Sequence, residues 1–151
     1  MLTPLPTVRL VAQPDHRAAL ATLGPARDLP LLVLYHGELA RRAFLERVLN
    51  AAGYDAPGTQ LHLLEWPPAG PLDLAALVRE LGVSQVLLFG YEPAALGLHF
   101  RVQQYFPLPV GGVRYLLADS LEFIEDSKER GDTAAAGALW NAVREGFLRK
   151  T

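Results

Sequence analysis

The sequence predicts an α/β fold: a three-layer sandwich with a central, mainly parallel sheet of four or five strands. Three observations carry that expectation. "LPLLVLYHG" and "SQVLLFG" are short, nearly unbroken apolar runs, the pattern of strands buried on both faces. Between and after them lie segments with apolar residues at helical spacing, such as Leu45, Val48, Leu49 and Ala52. The order through Gly90 is strand–helix–strand–helix–strand, which a parallel sheet flanked by helices satisfies.

Taken in order, residues 1–14 carry Pro4, Pro6 and Pro14 and favour an extended N-terminal arm; residues 15–151 form a single α/β domain. "DHRAALATLG" predicts a short helix with Asp15 as N-cap and Gly24 as the stop. "LPLLVLYHG" is the first strand. "ELARRAFLERVLNAA" is a helix over 38–52 ended by Gly53, and "TQLHLLEW" the second strand. Pro67, Pro68, Gly70 and Pro71 make a rigid loop. "LDLAALVRELG" then places Leu74, Leu77, Val78 and Leu81 on one helical face before the third strand, "SQVLLFG". "PAALG" reads as one helical turn opened by Pro93 and closed by Gly97. "FRVQQYF" and "VRYLLA" predict two further strands joined through "PLPVGG". Two helices close the chain, Ser120 to Arg130 and Thr133 to Leu148. Asp119 with Glu122 predicts a carboxylate-headed capping box, and Asp132 a cap for the last helix. Ala136, Leu139, Trp140, Val143 and Phe147 give that helix a core-facing stripe.

Bulk properties narrow the function. A chain of 151 residues suits one domain burying about 70% of its unfolded surface. The net charge of -2 supplies no global basic field for nucleic acid. The absence of cysteine excludes disulfides, thiolate zinc sites and cysteine-ligated iron–sulfur clusters. No apolar run approaches membrane-spanning length and the first residues lack signal-peptide order, so the expectation is a soluble, cytoplasmic protein without membrane contact.

Few residues offer chemistry. His36 and Glu38 follow the first strand, at the carboxyl edge where α/β sites collect, and could act as base and orienter. The structural alternative has Glu38 stabilising the next helix through its dipole and His36 filling the loop. His62 lies inside a strand and His99 borders one; no pair of histidines has metal-ligand spacing, so no metal or cofactor is expected. Arg41, Arg42 and Arg47 on the first long helix, and Arg144, Arg149 and Lys150 at the chain's end, could meet phosphates, or simply be a solvated face and a dipole complement. In the arm, Leu2, Leu5, Val8, Leu10 and Val11 either cover an edge of their own sheet or dock into a partner's groove.

The block "LLADSLEFIEDSKERGDTAAAGALWNAVREGF" resembles the end of the psi subunit of bacterial DNA polymerase III. There a strand leads into a short S-x-L-like turn, a polar helix and a last helix with an A-L-W motif followed by an aromatic residue. The matching positions are Ser120, Leu121, Ala138, Leu139, Trp140 and Phe147. "VLLFGYEPAALGL" also looks like the central strand and turn of psi-like proteins, whose fold resembles the uracil-DNA glycosylase α/β fold. In element order the resemblance covers residues 30–149, with specific residues only in the last thirty.

The resemblance implies a non-catalytic accessory subunit of the clamp-loader assembly, without cofactor. Its arm, roughly Leu2 to Val11, would insert into a clamp-loader subunit and its body would bind a chi-like subunit, touching nucleic acid only indirectly or weakly. The arm here is longer and richer in proline than psi's. An active glycosylase of that fold keeps an acidic or amide residue after its first strand and a histidine after its last. Here the first place reads "YHGEL", with Glu38 displaced, and the second "LADSL", with Ala118 and Asp119. An aspartate there would repel a departing uracil anion. The alternative is a divergent glycosylase-like or other nucleotide-processing enzyme using His36 and Glu38. A third reading is a homodimer formed through the arm.

Overall fold

The computed structural model describes residues 16–37, 39–54, 60–68, 70–98 and 103–144. The arm residues Leu2, Leu5, Val8, Leu10 and Val11, together with Asp15, Glu38, His99, Phe147, Arg149 and Lys150, lie outside the described residues.

The expected architecture is present. Five strands, β1 (Leu31–Tyr35), β2 (His62–Glu65), β3 (Gln85–Phe89), β4 (Leu108–Val110) and β5 (Val113–Ala118), form one sheet in the order β2-β1-β3-β5-β4. All neighbouring pairs are parallel except β4 with β5. Helices α1 (Arg17–Leu23) and α3 (Leu74–Leu81) cover one face; α2 (Leu39–Ala51), α4 (Leu121–Glu129) and α5 (Ala134–Ala142) cover the other.

Strand alternation explains the two cores. Leu31, Val33 and Tyr35 point into the α2–α4–α5 side, while Leu32 and Leu34 point into the α1–α3 side. Every residue of β1 is therefore buried, which is why its sequence is apolar without alternation. Each such leucine or valine contributes about 1.5–3 kcal/mol by leaving water. α3 is built as its spacing predicts: Leu74, Leu77, Val78 and Leu81 are buried and Asp73 Oδ1 accepts from Ala76 N–H at 3.1 Å.

Three local expectations are corrected. Within "FRVQQYF" the described part, Gln103 to Phe106, is a turn and not a strand. The edge strand falls instead in "PLPV", where the Gly111–Gly112 turn folds Leu108–Val110 back antiparallel on β5. Proline is tolerated there because β4 is an edge. Tyr105 has φ +62°, itself outside extended geometry. The cap of α4 is also displaced by one residue. Ser120 Oγ accepts from Phe123 N–H at 3.1 Å, and Asp119 is engaged elsewhere. At α5 the cap position is Thr133, without a side-chain bond, although Asp132 Oδ1 accepts from Ala134 N–H at 3.1 Å.

Candidate functional site

In an open α/β sheet, ligands enter outside the carboxyl ends of the strands where the winding reverses. That point lies between β1 and β3: the chain leaves β1 for β2 on one side, then crosses to β3 on the other. His36 follows β1, Gly90 and Tyr91 follow β3, and Asp119 and Ser120 follow β5, so register alone gathers them.

The crevice is bridged. His36 Nε2 lies 3.2 Å from the Gly90 carbonyl. A carbonyl only accepts, so Nε2 carries the proton and donates. The edge of one ring meets the face of the other between His36 and Tyr91, centroids 5.3 Å apart and planes at 88°. Tyr91 is buried and its hydroxyl donates to the Trp66 carbonyl at 2.6 Å, while Trp66 Nε1 donates to Gly70 O at 3.0 Å. Burial raises the Tyr91 pKa well above the usual phenol range, against the lowering effect of its bond to Trp66, so the group is a neutral donor at any physiological pH.

Gly90 is the close point of the assembly. A Cβ there would lie 2.7 Å from Ser120 Cβ, 2.8 Å from His36 Nε2 and 2.9 Å from Ser120 Cα. Histidine and serine therefore stand side by side with the glycine between them. The serine is oriented as a helix cap, its oxygen accepting from Phe123 N–H.

Asp119 is held by Tyr105. The tyrosine hydroxyl donates to Oδ2 at 2.7 Å and accepts from Asp119 N–H at 3.1 Å; Gln104 Nε2 approaches Oδ1 at 3.4 Å. Desolvation and then the bond to Asp119 raise the Tyr105 pKa far above its ordinary value. The carboxylate is thus a structural acceptor tying the β4 approach to the end of β5.

Arg42 and Arg47 of α2 are engaged at different places. Arg41 lies in its first turn. Arg42 Nη1 donates to Tyr35 OH at 3.0 Å and Nε to Glu46 at 3.1 Å. Arg47, five residues on, sits over the Phe44 ring at 5.8 Å and pairs with Glu125 at 3.4 Å. Arg144 is exposed and bonds Asn141 Oδ1 at 3.3 Å. His62 is buried in β2 with Nε2 lacking a hydrogen-bond partner among the described residues. Burial, and to a smaller extent the nearby charge of Arg27, lowers its pKa.

Trp140 corrects a further expectation. It is half-buried, not a core residue; Leu139 and Val143 carry the buried stripe of α5. With Phe44, Arg47, Val48, Ala51, Lys128, Ala136 and Leu139 it lines an open apolar trough of about 280 Å³. Reading the sequence element by element missed this trough and the Gly90–Ser120 approach, because each needs residues from separate elements. The sequence carried no signal for the trough, because Ala136, Leu139, Trp140 and Val143 fit one i, i+3, i+4, i+7 face and so read as core.

Compared in sequence with protein-family models and with curated proteins, the chain matches none of them.

Proposed function

We propose that this chain is a non-catalytic accessory subunit that works through protein–protein contacts, of the psi type, in the clamp-loader assembly of the replicative DNA polymerase III. One observation carries the non-catalytic part. At the switch-point crevice His36, Tyr91, Asp119 and Ser120 each bond to the protein's own backbone or side chains, and His36 spans the gap to Gly90. A working site needs a nucleophile or base in hydrogen-bond reach of the atom it serves, with donors aimed at developing charge. Here the donors point inward. The psi-type assignment, with its uracil-DNA glycosylase-like fold and cytoplasmic location, rests on the residues of the C-terminal block, among which Ser120 caps α4 and Leu121 and Leu139 are buried.

The test is a pull-down from the source cell's lysate using the full chain and a chain lacking residues 1–14, with captured proteins identified by mass spectrometry. The expected result is clamp-loader subunits held by the full chain and lost with the arm. Uracil excision from single-stranded DNA that disappears in His36→Ala would overturn the proposal, as would capture of no clamp-loader subunit.

A further inference from the structure

The trough on the helical face has the build of a recognition groove. α4 packs against both α2 and α5, and where the three meet the described residues leave a trough. Its floor is Phe44 and Leu139, both nearly inaccessible to water; Val48 and the half-buried Trp140 form its flanks. A cavity of about 150 Å³ already admits a benzene-sized ring. At about 280 Å³, this one takes a bulky side chain and part of a neighbour.

Charge selects the occupant. Among the described residues, the charged side chains lining the trough are Arg47 from α2 and Lys128 from α4, both exposed, and no described carboxylate lines it. Arg47 reaches one carboxylate, Glu125, at 3.4 Å, with its own side chain 67% exposed. Glu125 is only 15% exposed, so Arg47 keeps this contact; the bond engages one of the guanidinium's five N–H donors, and a partner's carboxylate would share the same cation. Its position above the Phe44 ring, 5.8 Å from the centroid, keeps the cation beside the apolar floor.

We propose that this trough docks an amphipathic helix of a partner protein: one aromatic or aliphatic anchor seated against Phe44 and Trp140, with flanking carboxylates on Arg47 and Lys128. Helix-in-groove recognition uses such an anchor for affinity and a charged rim for orientation and on-rate. The inference rests on the reading that surfaces carry this protein's function, and adds the partner's chemistry.

The test uses the full chain with Trp66→Phe, which leaves Trp140 as the sole tryptophan. Two synthetic helical peptides with the same apolar stripe, one with glutamate and one with lysine on the polar face, are titrated while Trp140 emission is followed. The expected result is a saturable blue shift with the acidic peptide, weakened about ten-fold or more by Arg47→Glu with Lys128→Glu while far-UV circular dichroism is unchanged. No saturable shift, or equal binding of the lysine peptide, overturns it. So does concentration-dependent dimerisation that shifts Trp140 emission, which would put a second copy in the trough. If Phe147→Ser reddens the emission and tightens peptide binding, the chain's own end fills the trough and the inference also falls. Arm-dependent capture of clamp-loader subunits by the Arg47→Glu, Lys128→Glu variant, with both peptides inert, would sink this inference and leave the proposed function standing.

Discussion

Gly90 stands where β3 leaves the sheet, with φ +79°, and its missing side chain lets the ends of β1 and β5 close around it. Substituting alanine loads two separate penalties onto one position. The first is conformational: an L-residue in left-handed geometry costs about 1–2 kcal/mol. The second is steric, since the new methyl would stand 2.9 Å from Ser120 Cα, a backbone atom that cannot rotate away, and 2.8 Å from His36 Nε2. Overpacking of this kind costs about 1–3 kcal/mol. The sum for Gly90→Ala is about 2–5 kcal/mol. Gly112→Ala separates the two parts. Gly112 has φ +83° with none of the described residues within 4 Å of the added carbon, so it should lose only the conformational part, about 1–2 kcal/mol. Urea unfolding of both variants, followed by tryptophan fluorescence and far-UV circular dichroism at constant m, measures the difference. A Gly90→Ala loss no larger than that of Gly112→Ala would refute the close approach of β1, β3 and β5 on which the closed crevice depends.

Four other outcomes are expected. His62 has a folded pKa below its ordinary 6.5, so the unfolded chain binds the proton better. Its contribution is intact above about pH 6.5 and is lost as pH falls toward the lowered value; a pH series of thermal melts should show this slope flattened in His62→Leu. Tyr105→Phe removes a donor to the Asp119 carboxylate and an acceptor from its N–H, and should cost about 1–3 kcal/mol in denaturant unfolding. Phe44→Ala should cost about 3–5 kcal/mol as a core deletion. Trp140→Ala, half-buried, should lose less than Phe44→Ala on the same urea curves.

Much of the fold was legible in the chain. β1 and β3 lie inside their two apolar runs because burial on both faces removes any need for polar alternation. α3 was readable from four leucine and valine positions bounded by Asp73 and Gly82. In the described part of "FRVQQYF", residues 103–106, the strand propensity of Tyr105 and Phe106 misled, because the positive φ at Tyr105 and the Asp119 bond override it.

The site was less legible, for a reason of range. Periodicity and caps are local: they depend on neighbours within a few residues, and such neighbours are printed side by side in the sequence. Thus sequence alone determined the layers, the alternation of strands and helices, and the placement of His36 at a carboxyl edge. Whether that edge is open depended on His36 meeting Gly90, 54 residues away, and on Ser120 pressing against the same glycine. Likewise Phe44 and Trp140 share a trough only because α2, α4 and α5 pack on one face of the sheet. Contacts of this kind are fixed by strand order and register, which tertiary packing decides.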